Sequence, residues 1–209
     1  MKKEKEKQML TETEKKRLER FEKLAMEMEQ RGYTRRNLTI DMGKANLFAG
    51  LLLIPLAIIG GVMNYLVNDK VEIFDVNIWA FLVAFLVLIV VHELIHGACW
   101  SIFSPHHFKD IEFGIMKPWM SPYCTCLEPL TKKAYIFGCV MPFVVLGVLF
   151  MILGVVINDS TVLMLGVMMA DAAAGDIMVI QKILAYKSNA DEITYMDHPT
   201  EAGGVIFER

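Results

Sequence analysis

The sequence predicts an all-α integral membrane protein with four transmembrane helices, an N-terminal amphipathic helix and a small cytoplasmic loop resembling a β-hairpin. Two observations support this fold class. Hydrophobic residues make up 55% of the 209-residue chain and the mean hydropathy is +0.41, which is too apolar for a typical soluble domain. The charged residues, whose formal net charge is -3, are concentrated in segments between long uncharged runs. We therefore expect a multi-pass protein of the cell membrane.

The charged segment at residues 1–33 has the pattern of an amphipathic helix. Thr11 followed by Glu14 forms a capping box. Apolar residues then recur at helical spacing, at Leu18, Phe21, Leu24, Ala25 and Met28. Basic residues in this segment are matched by acidic ones, which argues against a nucleic-acid partner. We expect a cytoplasmic helix that lies along the membrane or against the protein's own loops, and a docking arm for a partner protein is the alternative.

Four apolar runs predict a membrane domain over residues 34–186. Each run is long enough to form a tilted transmembrane helix, which needs about 20 apolar residues. The predicted spans are 45–68, 78–103, 134–158 and 161–184. Residues 187–209 follow as a polar cytoplasmic tail.

The distribution of basic residues predicts that both termini are cytoplasmic, because Lys and Arg favour the cytoplasmic flanks of membrane spans. The segments before the first span, between the second and third spans and at the end of the fourth span carry ten such residues. The loop at 69–77 has only Lys70, and the turn at 159–160 has none. The ten residues are Arg31, Arg35, Arg36, Lys44, Lys109, Lys117, Lys132, Lys133, Lys182 and Lys187.

The connection at 104–133 has two segments, 111–115 and 123–127, that alternate enough to predict short strands. Such a hairpin would offer an edge for a substrate strand, paired through Tyr123, Cys124, Thr125 and Cys126. An ordinary cytoplasmic loop is the alternative. The C-x-C pair, Cys124 and Cys126, is interpreted as two free thiols, and a second metal contact there is the other interpretation.

The second apolar run contains an HExxH motif, formed by His92, Glu93 and His96. On a helix the two imidazoles share one face and can bind a divalent metal, usually zinc. The glutamate projects near the same face and can act as a general base. Ionisable groups are unfavourable inside a membrane helix unless they face a partner or a water-filled cavity, so this motif predicts a functional site.

A catalytic zinc needs a third protein ligand, and the other spans contain only two acidic residues, Asp171 and Asp176. Asp176 lies at about the depth of His92 and His96 from the cytoplasmic side, whereas Asp171 is about 7.5 Å deeper. We therefore expect one zinc ion per chain, bound by His92, His96 and Asp176, with Gly175 allowing close helix approach. Asp171 is expected either to orient a histidine or to serve as the alternative ligand. Iron and cobalt remain open as alternatives to zinc.

These residues resemble a bacterial family of membrane proteins grouped as zincin-type peptidases. The resemblance covers about residues 35–209 and rests on the segment His92 to Gly97, the Gly175-Asp176 pair and three further features. Those features are the Cys126-Leu127-Glu128-Pro129 stretch, Pro142 and the Asp197-His198-Pro199 tail. More remotely, the sequence is similar to site-2 proteases, which place the distant aspartate before a glycine rather than after one. The resemblance implies an intramembrane metalloprotease in which His92, His96 and Asp176 bind the metal and Glu93 is catalytic.

The sequence favours a zinc-dependent intramembrane peptidase that cleaves a membrane-associated protein or peptide near the cytoplasmic face. Its expected partners are that substrate and the lipid bilayer, and a homo-oligomer is compatible with the sequence. Two other functions remain open, a metal-binding transporter or sensor and a non-catalytic adaptor with a structural metal site. A transport pathway would need polar residues along a whole helix face, whereas only one depth is marked here.

Overall fold

A computed structural model describes residues 12–69, 75–116 and 121–209. Within them the protein is mostly helical, with two small sheets. Thr11 of the predicted capping box, Lys70 and Lys117 lie outside the described residues.

The N-terminal amphipathic helix α1 (Glu12–Gln30) buries its apolar face against the protein's own sheet. Phe21, Ala25 and Met28 pack with Val205 and Phe207. A short strand, β1 (Thr34–Thr39), follows the helix and leads to the first long apolar helix. The structure therefore shows α1 packed against the protein's own elements, which is one of the settings predicted for it.

Among the described residues, three helices are long and apolar enough to cross a membrane. They are α2 (Met42–Asn68), α3 (Ile78–Phe103) and a third helix over Lys132–Val156 that consists of α4 (Lys132–Pro142), a π-helical segment (Phe143–Val148) and α5 (Leu149–Val156). Large apolar side chains of α2 and α3 point outward, Leu66 and Leu86 among them. An apolar outer surface of this kind is compatible with a multi-pass membrane protein.

The predicted fourth span is broken rather than straight. It consists of α6 (Ser160–Ala172) and α7 (Ala174–Ala185), which are bent by 41° and together could form one further span. At the break the backbone N–H of Ala173 bonds to the carbonyl of Asp171, in place of the regular helical bond four residues back. No Gly or Pro marks this point, which is why the sequence pattern predicts a continuous helix.

The predicted hairpin strands coincide with β2 (Ile111–Met116) and β3 (Ser121–Cys126), which pair antiparallel. A second sheet has the order β1–β5–β4, with β4 at Ile193–Asp197 and β5 at Gly203–Glu208. The sequence predicts a polar tail over residues 187–209 and gives no signal for β4 and β5. Val205, Ile206 and Phe207 are fully buried, because α1 covers one face of β5 and the helical core lies against the other.

Candidate metal centre

The HExxH helix α3 brings two imidazoles together in the core. His92 and His96 lie one helical turn apart and are only 7% and 4% exposed. Their Nε2 atoms are 3.1 Å from each other. Glu93 is half-buried and lines the same cleft as both histidines. The helical spacing in the motif therefore gives the arrangement that its pattern predicts.

Asp176 completes a triangle of ligand atoms. Its Oδ2 atom lies 3.2 Å from His92 Nε2 and 3.4 Å from His96 Nε2. Asp176 occupies the first turn of α7, directly after the break at Ala173, so the bend of the fourth helix positions this carboxylate.

The His96 ring is held from its other side by α4. Its Nδ1 atom lies 2.9 Å from the carbonyl oxygen of Gly138. A carbonyl can only accept, so Nδ1 carries the proton and Nε2 is the ring atom that faces Asp176. The indole of Trp100 stacks on the His96 ring at 5.1 Å, and its Nε1–H donates to the carbonyl of Tyr135.

The donor set fits a divalent metal such as zinc. Two imidazole nitrogens and one carboxylate oxygen are common zinc ligands, and tetrahedral ligands at zinc bond lengths lie about 3.3 Å apart. The observed separations of 3.1, 3.2 and 3.4 Å match this value. Acceptor atoms that converge in this way repel one another unless a cation or a proton lies between them. The cleft opens onto the triangle, which leaves room for a further ligand.

Asp171 is not part of this triangle. Its Oδ1 atom is buried and has no hydrogen-bond partner, as is also true of His92 Nδ1. Among the described residues Asp171 therefore makes no bond that orients a histidine. Gly175 also differs from its predicted role, because a Cβ atom added there would meet nothing within 4 Å. This glycine leaves open space in the cleft rather than allowing two helices to approach.

The β2–β3 hairpin lies against α3 directly beside the motif. A Cβ atom on Gly97 would come within 2.7 Å of Phe113 and 3.2 Å of the Cys124 sulfur, so the absence of a side chain permits this contact. The backbone N–H of Cys124 approaches the Glu93 carboxylate. The hairpin thus forms one wall of the cleft beside Glu93.

Only part of β3 presents backbone groups to the cleft. The backbone N–H of Cys126 donates to Asp197 Oδ2 at 3.1 Å, so the backbone N–H and C=O groups of Cys126 and Cys124 point away from β2. The backbone groups of Tyr123 and Thr125, which alternate with them, point toward β2. Of the four residues predicted to pair with a substrate strand, Cys124 therefore offers the central edge position.

The two hairpin cysteines are free and buried. Burial raises the pKa of the Cys126 thiol to about 11 and places that of Cys124 still higher. Both side chains are therefore protonated thiols near neutral pH, as the free-thiol interpretation expects. Neither belongs to the group of side chains around Asp176 that could bind a metal.

The cleft has a volume of about 390 Å³, and several residues that shape it could not be identified from the sequence. Arg17 of α1 is buried at its mouth, donates to the carbonyl of Pro199 and stacks on Tyr123. Asp197 accepts from the Tyr135 hydroxyl at 2.5 Å as well as from the hairpin. Both Asp197 and His198 belong to the Asp-His-Pro stretch that is visible in the sequence, and His198 Nδ1 accepts from the backbone N–H of Glu201 in the β4–β5 loop.

Fold and site together define a helical protein with a zincin-like HExxH centre inside an apolar helix. The sequence model of a family described as "Putative zincin peptidase" matches residues 85–190, about half of the chain, and the protein belongs to this family. The match includes the HExxH motif, the hairpin and Asp176, and it indicates a metallopeptidase. No curated protein and no solved structure matches the chain.

Proposed function

We propose that the protein is a zinc-dependent intramembrane peptidase that cleaves a membrane-associated protein or peptide near the cytoplasmic face. One observation carries the proposal. The ligand atoms of His92, His96 and Asp176 converge at 3.1–3.4 Å on the wall of a cleft that also holds Glu93. The family membership and the apolar helix that bears the motif support the same function.

His92, His96 and Asp176 would hold the zinc ion. When bound, zinc supplies Lewis acidity toward a water molecule and a substrate carbonyl. Glu93 lies at the right place to take a proton and to return it to the leaving amine. The bond from His96 to Gly138 keeps the imidazole oriented, and the buried walls of the cleft limit access of bulk water.

The edge of β3 suggests how a substrate would bind. An intramembrane helix must be unwound before a peptidase can reach its backbone, and its freed N–H groups then need acceptors. The backbone N–H of Cys124 approaches Glu93, and the carbonyl of the same residue points to the same edge of the strand, where it would offer one such acceptor. A substrate strand added here would pass the metal ligands in extended form. This arrangement favours cleavage within the membrane.

The test compares zinc content and cleavage in purified full-length protein. Probe substrates are a set of single-span membrane peptides that carry a fluorophore and a quencher, reconstituted in the same detergent micelles. We expect about one zinc per chain in the wild type and in Glu93→Gln, with cleavage lost only in the latter. Asp176→Asn should lose most of the zinc, because two ligands remain in place of three.

Glu29→Gln is the matched control, since Glu29 is an exposed carboxylate of α1 far along the chain from the motif. It should retain both zinc and cleavage. Equal cleavage by wild type and Glu93→Gln would refute the peptidase assignment. If the wild type binds no zinc even when zinc is supplied, a protonated His92–His96 pair that bonds Asp176 would be favoured over a zinc site.

A further inference from the structure

Asp171 is a further carboxylate that lines the cleft and is not one of the candidate metal ligands. The cleft runs from Asp176 past Gly175 and Ala172 to Asp171. Asp171 Oδ1 is buried there without a hydrogen-bond partner, and the described residues form no ion pair with this side chain. The space between the two aspartates is open, because neither Gly175 nor Ala172 has a long side chain and a Cβ atom on Gly175 would meet nothing.

An acidic group without a partner is unfavourable in an apolar helix, so such groups usually mark a binding function. Asp171 lies outside the set of side chains that could share one metal with His92 and His96. It also does not hold either imidazole. Within the described part of the chain, nothing structural uses this oxygen, which leaves a ligand from outside as its partner.

We propose that Asp171 is a specificity-determining residue that binds the basic side chain of a substrate Lys or Arg next to the scissile bond. The proposal rests on the peptidase function. Asp171 and Asp176 line the same cleft on either side of the break at Ala173, and a basic side chain has a stem of roughly 6 Å with which to extend between them. Lys and Arg are also common at the cytoplasmic ends of membrane segments, where this cleft would meet its substrates.

The test measures cleavage of matched membrane peptides by the full-length, zinc-loaded protein. The peptides differ only in the residue on each side of the scissile bond, which carries Lys, Arg, Gln, Leu or Glu. We expect wild type to cleave the Lys and Arg peptides at least about tenfold better in kcat/KM than the Gln and Leu peptides. Asp171→Asn should remove that preference, retain zinc and leave the rates for Gln and Leu peptides within about threefold.

Two further variants test the same site by other routes. Asp171→Lys should shift the preference toward Glu peptides, since a charge reversal would attract an acidic side chain. Ala172→Leu, which fills the space in front of Asp171, should also lower the preference for basic peptides. If Asp171→Asn does not fold, as judged by thermal unfolding in detergent, this second variant decides the matter.

Several outcomes would overturn the subsite. These are the absence of a basic preference in wild type, an equal loss for all peptides in Asp171→Asn, or loss of zinc from that variant. Failure of the peptidase function looks different, because wild type would then cleave no peptide or Glu93→Gln would cleave equally well. In that case, photo-cross-linking of the Lys and Gln peptides to Glu93→Gln, with and without Asp171→Asn, still measures whether Asp171 selects the basic peptide.

Discussion

The orientation of the His96 ring depends on a residue of another helix, Gly138. Its carbonyl accepts from His96 Nδ1, and its missing side chain makes room for the indole of Trp100. That indole stacks on the same imidazole. One glycine therefore controls both the hydrogen bond and the ring contact that fix this candidate ligand, and groups of this kind tune metal affinity about 10- to 100-fold.

Gly138→Ala is expected to weaken zinc binding by at least about tenfold. The new Cβ atom would overlap Trp100 Nε1, so the indole or α4 must move and the support of His96 is disturbed. Zinc titration against a competing chelator, together with thermal unfolding in detergent, measures both effects. Gly175→Ala is the matched control, because its Cβ atom has open space. Equal zinc affinity in both variants would show that the position of the indole does not matter.

At the residue scale, sequence predicted what is encoded locally. The spacing of HExxH places His92, Glu93 and His96 on one helix face, and the depth of Asp176 along its span favours this residue over Asp171 as the group near them. The supporting residues could not be predicted in the same way. Gly138 and Asp197 act through contacts with residues 42 and 71 positions away, and no local pattern records such a contact.

At the scale of elements, the joint after α3, formed by residues 104–110, connects this helix to α1 and to the segment that follows β3. Asp110 is only 2% exposed and accepts from the hydroxyl of Ser104, the last residue of the α3 cap, and from the backbone N–H of His106 at 2.8 Å. Arg20 of α1 lies against the same carboxylate and bonds Glu128 at 2.9 Å. This arginine explains why His106, Asp110 and Glu128 lie together without any need for a metal.

Asp110→Asn is expected to destabilise the protein by about 1–3 kcal/mol near neutral pH, since a buried charged acceptor is lost. Burial opposes ionisation of Asp110, but the bonds from Ser104 and His106 outweigh it and hold the pKa below its usual range. Stability from a carboxyl with a lowered pKa is present above the unfolded-state pKa of about 3.9 and is lost as the pH falls through the folded-state value. The difference between variant and wild type should therefore shrink in acid.

Thermal unfolding in detergent at about pH 7 and about pH 3 measures this difference. Glu12→Gln serves as the control, because the Glu12–Lys15 ion pair is exposed and should contribute little at either pH. A constant difference between the Asp110→Asn protein and wild type across this range would mean that ionisation of Asp110 does not stabilise the joint.

The sequence predicted α1 and the hairpin from local periodicity, but their docking through Arg17 and Arg20 depends on three-dimensional contacts.

At the scale of the whole molecule, the second sheet constrains how the chain crosses a membrane. β1 precedes α2, whereas β5 follows α7, and the two strands pair along their length from Thr34–Glu208 to Thr39–Gly203. Paired strands must lie on the same side of a bilayer, so a chain that crosses the bilayer between them must cross it an even number of times. Three long helices alone would give an odd number. The bent pair α6–α7 would supply the fourth crossing.

The apolar runs predicted the long helices closely, because length and hydropathy are local properties. Neither the break at Ala173 nor the β1–β5 pairing could be predicted in this way. Small residues surround the break without a Gly or Pro at it, and the paired strands are separated by more than 160 residues, as Thr39 and Gly203 are. The bent pair α6–α7 brings Asp176 to the histidines, and its bend is the feature that the sequence did not predict.

Single cysteines placed on the two predicted sides test the fourth crossing directly. Asp75 and Asn189 are exposed, and the four native cysteines are buried. In intact cells a membrane-impermeant maleimide should label Asp75→Cys and leave Asn189→Cys unlabelled until the cells are opened, as a cytoplasmic C-terminus requires. Labelling of both in intact cells would mean that α6–α7 returns to the side it came from. The β1–β5 pairing could not then coexist with three crossings, so this result would contradict the sheet and the topology together.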